Sequence, residues 1–382
     1  MRILMLNWRC PSNPKSGGAE YVTRKHLEAW VLAGHEVHWL AGSYPGAPPY
    51  EKLGVSEITK KQFKESFPRD AVHRGVIHIH RYGTPIMIYF LAPLLYWYKW
   101  GGKFDLVIDQ IHGIPFLTPL WTWKSRKIAF IHEVAQEIWD EMLPFPINVL
   151  GKIYEKVYFL FYRGIRFWTV SNSTKKDLAK FGILKEQITV IPNAIDLEPV
   201  KEVPTKENVL TLVFLGRLVK MKGIEDALRI VTEFKKTVPE VKLWVLGQGE
   251  PKYIDILKHL TAELGISSNV DWKGWATEEE KVGYLRRAHY LLHTSVREGF
   301  GLTVLEANSQ GTPAIARDIP GLHDIVHDKS NGILLDDLSV NDVLSKYDIK
   351  SREYVELCES SLKSSLQFTW EKALKNGLSV VG

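Results

Sequence analysis

This sequence predicts an α/β protein of two doubly wound domains in tandem, and three observations carry that expectation. Short apolar runs ending in glycine, serine or asparagine alternate with helical patterns from Met1 to about Ile195. The same alternation restarts at Val209, and between the two lies Asp196 to Asn208, a stretch rich in Glu, Lys and Pro that suits a linker. Strand and helix in alternation make a parallel sheet, and 382 residues exceed what one core ordinarily supports. The boundaries expected are 1–195 and 196–366.

In the first domain, Met1–Leu6 reads as a strand, and Gly17-Gly18-Ala19-Glu20 opens a helix that runs to about Ala33. Gly34-His35-Glu36 turns the chain into a second strand, Val37–Ala41, completing a βαβ unit. The glycine pair sits where a Rossmann-like sheet binds phosphate, although Gly-x-Gly-x-x-Gly is absent. Residues 43–70 lack periodicity and read as an exposed excursion. Further strands are expected at Val76–Arg81, Leu106–Gln110, Lys127–Ile131 and Phe167–Val170, then a helix capped near Ser171, and a last strand at Ile188–Ile191.

In the second domain, Val209–Leu215 is a strand, Gly216-Arg217-Leu218 a turn, and Lys222-Gly223 the start of a helix to about Lys236. Strands follow at Val241–Leu246, Val270–Trp272, Tyr290–His293, Ala314–Ala316 and Gly332–Leu335, with a helix from about Pro251 to Leu264. Tandem sheets of this kind create a cleft between the carboxyl ends of their strands, which is where ligands bind.

Composition narrows the setting. An apolar fraction of 45% and a charged fraction of 24% are those of a globular chain. Cys10 and Cys358 alone make neither a disulfide framework nor a metal signature, which favours a reducing compartment. The first apolar run breaks too soon for a signal peptide, so a cytoplasmic protein is expected. Ile86–Tyr98, interrupted by Pro93, is shorter than the roughly 20 residues that span a bilayer.

Residues 1–195 hold 25 Lys and Arg against 16 Asp and Glu, a balance of +9 that leaves −4 for the remainder. A basic half rich in Trp, Tyr and Phe suits an anionic surface. Peripheral contact with an anionic membrane ranks above nucleic acid, for which no signature is present. The runs Ile86–Trp100 and Ile147–Trp168 read first as core helices and second as segments lying at a bilayer interface, on its inner face, presenting a lipid-linked sugar.

The stretch Arg297-Glu298-Gly299-Phe300-Gly301-Leu302-Thr303 to Glu306 carries the chemistry. A glycine turn feeding a helix leaves unpaired backbone N–H groups and the positive end of the dipole, which suits a phosphate. With the helix beginning near Leu302, Glu306 lies one turn inside it and Glu298 on the loop. Carboxylates accept hydroxyls and repel phosphate, so the set describes a sugar nucleotide. Arg217 and Lys222, in a strand-to-helix turn, supply a fork and a point charge for a diphosphate.

Gly17-Gly18-Ala19-Glu20, Val190-Ile191-Pro192-Asn193-Ala194-Ile195-Asp196, Phe214-Leu215-Gly216-Arg217-Leu218, Lys222-Gly223, Val245-Leu246-Gly247-Gln248-Gly249 and Glu298-Gly299-Phe300-Gly301-Leu302 to Glu306 occur in one order. In that order and spacing, nearly the whole chain resembles the retaining glycosyltransferases of family 4, which have the GT-B architecture. The resemblance implies a donor domain at 196–366, an acceptor domain at 1–195, and a final helix at 367–382 that crosses back to the first domain. It assigns Arg217 and Lys222 to the donor diphosphate, Glu306 to the ribose hydroxyls, and Glu298 with the backbone of Gly299, Phe300 and Gly301 to the donor hexose. Amides of Leu302, Thr303 and the Gly17-Gly18 turn would face the phosphates, Trp275 would lie by the base, and His132 would approach the transferred sugar.

The substrates implied are a UDP- or GDP-hexose and a glycan or lipid-linked acceptor. No Asp-x-Asp and no cluster with metal-ligand spacing is present, so no metal and no further cofactor is expected. Anomeric retention by front-face attack is implied. The competing readings are a UDP-sugar epimerase of the same architecture and a sugar-nucleotide-binding subunit without turnover.

Overall fold

The computed structural model describes residues 1–67, 72–335, 343 and 348–382. The chain forms two units, Met1–Asp196 with Phe368–Gly382, and Leu197–Gln367.

The first unit is built on β1 (Arg2–Leu6), β2 (Glu36–Ala41), β3 (Tyr50–Gly54), β4 (Val76–Arg81), β5 (Leu106–Ile111), β6 (Arg126–Ile131), β7 (Arg166–Thr169) and β8 (Ile188–Val190). Their order is β3-β4-β2-β1-β5-β6-β7-β8, parallel except where β3 runs antiparallel along β4. Central strands such as Ile3-Leu4-Met5-Leu6 are apolar at every position because helices cover both faces of the sheet. Strand order reverses between β1 and β5, which are neighbours, so the loops after them emerge side by side.

Residues 43–70 are more ordered than an exposed excursion. They contain the edge strand β3 and helix α2 (Glu57–Ser66), whose N-cap Ser56 accepts from the Thr59 amide and whose Phe63 is buried. Lys and Glu on the outer faces of both elements hide their periodicity. Residues 68–70 of that stretch lie outside the described residues.

Helix α1 (Gly18–Leu32) follows β1 and carries the C-terminal helix, α12 (Trp370–Val381), on its flank. Trp30 donates its indole N–H to the Gly377 carbonyl at 3.2 Å, and Tyr21 and His26 meet the Trp370 ring edge-on. The end of the chain is thus part of the first unit.

Helix α3 (Met87–Leu94), continued by a π-helical turn at Leu95–Lys99, buries Ile88, Ala92 and Tyr96 against Leu4, Leu40 and Val107. After α4 (Ile138–Met142), helix α5 (Ile147–Phe161) buries Glu155, Tyr158 and Phe159. The Glu155 carboxylate accepts from the Ala135 and Gln136 amides. The outer faces of α3 and α5 stay apolar, with Phe90, Leu94, Leu150, Ile153 and Leu160 exposed. Each helix therefore joins a core face to an apolar solvent face. Helix α6 (Asn172–Lys180) is capped by Ser171, which accepts from Thr174 N–H.

The second unit holds β9 (Thr211–Leu215), β10 (Lys242–Leu246), β11 (Val270–Gly274), β12 (Tyr290–His293), β13 (Ala314–Arg317) and β14 (Gly332–Leu335). They are parallel in the order β11-β10-β9-β12-β13-β14, the doubly wound pattern, with its switch between β9 and β12. Helices α7 (Ile224–Thr237), α8 (Pro251–Glu263), α9 (Glu278–Arg287), α10 (Leu302–Ser309) and α11 (Arg352–Ser365) accompany them.

The stretch expected as a linker is largely docked on this unit. Val200 N–H donates to Ser309, Gln310 donates to the Glu198 carbonyl, and Lys206 donates to Thr312. Its polar composition reflects a surface-bound strap. Among the described residues, no helix is long and apolar enough to cross a membrane.

Candidate functional site

In the second unit the switch between β9 and β12 brings two loops together. The turn after β9 ends in Gly223, the N-cap of α7, at a φ of 66°. A Cβ there would stand 2.0 Å from the Thr294 carbonyl oxygen, so only glycine permits the approach. Thr294 Oγ1 donates to the Gly223 carbonyl at 2.7 Å, and Val296 N–H to the Met221 carbonyl at 3.0 Å. These bonds fasten the lysine-bearing turn to the loop that follows β12.

The consequence is an ion pair between Lys222 Nζ and Glu298 Oε2 at 2.7 Å, with His293 Nε2 at 3.5 Å from the same oxygen. Burial acts to raise the Glu298 pKa, but the Lys222 ammonium and the His293 contact outweigh it and hold the carboxyl well below its usual range. Glu298 is therefore an acceptor only. Arg217, on the same turn, is exposed and forms no ion pair among the described residues.

Past Glu298 the chain reaches Gly301, the N-cap of α10, at a φ of 91°. Gly299 and Phe300 are buried, the Phe300 side chain in the core, so only their backbone remains for a ligand. Leu302 and Thr303 occupy the first turn of α10, where N–H groups lack intrahelical partners. Glu306, one turn on, pairs with Lys281 of α9 at 2.9 Å. Burial raises the Glu306 pKa, and Lys281 counters it. Trp275, after β11, is 67% exposed.

The two glutamates are thus gripped by different lysines, one on the β9 turn and one on α9. Sequence reasoning missed Lys281 and His293. Lys281 had a readable signal, since Thr277 to Glu280 is a capping box that starts α9 one turn before it. His293, the last residue of β12, had none beyond its strand-end position.

In the first unit, Gly17 is the N-cap of α1, but its own N–H donates to Glu20 Oε2 at 2.7 Å. Gly17 is accordingly not a free donor, and the amide expected to face phosphate from this turn is that of Gly18. His132 follows β6, half-buried, its ring 6.1 Å from His112 and 4.4 Å from Phe130. Burial first, and the nearby His112 and His26 second, push its pKa well below the ordinary histidine value, so the ring is neutral near pH 7. Trp8 Nε1 and His112 Nε2, beside it, are buried and have no hydrogen-bond partner among the described residues. Among the described residues no group of three His, Cys, Asp or Glu is arranged to hold a metal ion. Cys10 and Cys358 are buried free thiols.

Two doubly wound parallel-sheet units in tandem, the second with cationic and acidic side chains on the loops at its switch point, are those of the GT-B architecture. Comparison with known proteins gives the family: residues 16–199 match Glycosyltransferase Family 4, and residues 198–348 match Glycosyl transferases group 1. The chain belongs to the family 4 glycosyltransferases. An uncharacterised glycosyltransferase of Methanocaldococcus jannaschii is 25% identical over 359 residues, 87% of this chain and 84% of the relative. The alpha-monoglucosyldiacylglycerol synthase of Streptococcus pneumoniae is 31% identical over 248 residues, 61% of this chain and 56% of the relative. The solved sucrose-phosphate synthase of Thermosynechococcus elongatus superimposes with a TM-score of 0.75, at 16% identity, covering 100% of this chain and 97% of that one.

Proposed function

We propose that this enzyme transfers a hexose from a UDP- or GDP-hexose to a glycan or lipid-linked acceptor, with retention of anomeric configuration and without a metal ion. The observation that carries this reading is the Lys222–Glu298 pair at the β9/β12 switch, one loop before the start of α10. A cation beside an ionised carboxylate suits a ligand that is phosphate at one end and polyhydroxyl at the other.

In this reading Arg217 and Lys222 hold the diphosphate, joined by the Leu302 and Thr303 amides at the dipole-positive end of α10. Glu306 accepts from the ribose hydroxyls and Glu298 from the hexose hydroxyls. Trp275 offers an exposed indole beside the base. The bond from the anomeric carbon to the phosphate oxygen breaks while the acceptor oxygen attacks the same face. The acceptor's proton passes to the departing phosphate oxygen, and the charge that develops there is met by Arg217, Lys222 and the amides. The family resemblance assigns His132 to the transferred hexose, where it would serve as a neutral hydrogen-bonding group.

Arg217→Ala and Glu306→Ala are the direct test. Calorimetric titration with UDP- and GDP-hexoses should show each variant binding about 10-fold to 100-fold more weakly, the worth of a hydrogen bond to a charged group. Unchanged affinity in both would remove the site.

The acceptor side draws on the apolar outer faces of α3 and α5. Phe90 is 76% exposed and Leu150 60%; Lys99 ends the turn that continues α3, Lys152 lies on α5 in an ion pair with Asp140, and Arg163 follows α5. Such a surface fits an anionic bilayer and favours a lipid-borne acceptor, as the name of the Streptococcus pneumoniae relative also suggests. Sedimentation with anionic liposomes should bind the protein at low salt and lose much of it when Leu150→Glu and Ile153→Glu are combined. Absence of binding at low salt would remove the membrane from the account.

A further inference from the structure

The first unit contains a buried polar chain that the transfer reaction, as described so far, leaves unused. It begins at a backbone group. The Arg9 N–H donates to Asn7 Oδ1 at 3.2 Å, and Asn7 Nδ2 donates to Gln110 Oε1 at 2.8 Å. Thr23 Oγ1 of α1 lies 3.0 Å from the same Gln110 oxygen. Gln110 Nε2 then lies 3.2 Å from His132 Nε2. Asn7 follows β1, Gln110 is in β5 and His132 follows β6, three adjacent strands, so the chain runs across the sheet at its carboxyl edge. Asn7 and Gln110 are both 0% exposed, and water does not compete for these bonds.

The direction of the chain is fixed by its first member, because a backbone N–H can only donate. The Asn7 amide must turn its oxygen to Arg9 and its NH2 to Gln110. Gln110 must then turn its oxygen to Asn7 and its NH2 to His132. Reversing any amide would set donor against donor in a buried site, at a cost of roughly 1–3 kcal/mol for each group left unsatisfied. A glutamine NH2 can meet a histidine nitrogen only when that nitrogen carries a lone pair. His132 Nε2 is therefore unprotonated, and in a neutral ring the proton sits on Nδ1. Thr174 Oγ1 donates to the His132 carbonyl at 3.0 Å and anchors the backbone beneath the ring.

We infer that Gln110 is a positioning residue which, through Asn7 and the Arg9 amide, locks His132 as the Nδ1-protonated tautomer, so that the ring presents a hydrogen-bond donor to an oxygen of the transferred hexose. The inference rests on the reading that His132 meets that sugar, and it adds which nitrogen does so and what sets it. Nδ1–H can serve a hydroxyl oxygen as acceptor and can take no proton from the attacking acceptor. His132 is in this way an orienting donor, with the acceptor's proton left to the phosphate.

The tautomer is measurable without turnover. Long-range nitrogen–carbon-proton correlation of 15N-histidine-labelled protein, with His132 assigned by loss of its signals in His132→Asn, should show a protonated Nδ1 and a lone-pair Nε2. In Gln110→Glu, a near-isosteric change, the carboxylate can only accept and must draw a proton onto Nε2. The His132 signals should then move to the Nε2-protonated or charged form, in a variant whose near-ultraviolet circular dichroism stays native although the buried carboxylate lowers its melting temperature. Turnover at saturating donor should fall about 10-fold to 100-fold, as when the group orienting a functional histidine is removed, with the donor KM within about 2-fold. A wild-type ring protonated on Nε2, or one tautomer shared by wild type and Gln110→Glu, would overturn the inference. The expected tautomers with full turnover in both Gln110→Glu and His132→Asn would instead overturn the role of His132 at the sugar.

Discussion

Removing Lys222 tests the electrostatics of the site before any substrate is added. In Lys222→Ala, Glu298 keeps its partial burial, with 20% of the side chain exposed, and loses the cation 2.7 Å away, itself 25% exposed. A fully buried pair broken at one partner costs about 3–5 kcal/mol and an exposed one about 0–1, so this half-buried pair should cost about 1–3 kcal/mol near pH 7. For a unit of this size that corresponds to a fall in melting temperature of roughly 3–10 °C.

The pH dependence of that fall is the sharper test. In the wild type the Glu298 pKa is depressed, so its contribution to stability is complete above the ordinary carboxylate value of 4.5 and is lost only as pH falls through the depressed value. In Lys222→Ala burial is opposed only by His293, the pKa rises, and the folded variant takes up a proton at a higher pH than the wild type does. Differential scanning calorimetry from pH 7 down to pH 4.5 should therefore show the two melting temperatures converging. A gap that is the same at both ends of the range, or absent throughout, would refute the pairing as the source of the depressed pKa.

Two further outcomes follow from the same geometry. Glu306→Gln should weaken binding of the free nucleoside diphosphate as well as of the nucleotide sugar, whereas Glu298→Gln should weaken only the nucleotide sugar; equal effects on both ligands in both variants would undo the division between ribose and hexose. Gly223→Ala, whose Cβ meets a carbonyl oxygen at 2.0 Å, should destabilise the protein by about 2–4 kcal/mol in thermal unfolding and displace Lys222, while Gly265→Ala, with a φ of 67° and open space around it, should cost only about 1–2 kcal/mol.

Strand positions and the start of α10 were legible in the sequence because parallel strands buried on both faces are continuous apolar runs, and each ends in a residue that turns or caps. Gly301 at the N-cap and Glu306 one turn inside α10 could be read from spacing alone. Elements with one solvated face were harder. Strand β3, a polar Tyr-Glu-Lys edge, and helix α9, with six charged residues among its ten, have too few apolar residues to show a period. The apolar outer faces of α3 and α5 had the opposite effect, since residues that face solvent look like core in sequence. Within the site, Glu298, Lys222 and Glu306 were legible as residue types beside glycine turns. Lys281 and His293 were not, because a lysine on a charged helix and a histidine ending a strand are ordinary until the fold brings them to a carboxylate. The Asn7–Gln110–His132 chain was hidden for the same reason, its members lying on strands far apart in sequence and adjacent only in the sheet.

The central claim is retaining, metal-independent hexosyl transfer, and proton NMR of the anomeric signal during turnover tests it most directly. Incubated with a UDP- or GDP-hexose and an acceptor in the presence of a chelator, the enzyme should release nucleoside diphosphate and form a glycoside with the donor's own anomeric configuration, at the rate seen without chelator. A product of inverted configuration, transfer abolished by the chelator, or an epimerised nucleotide sugar with no diphosphate released would contradict it.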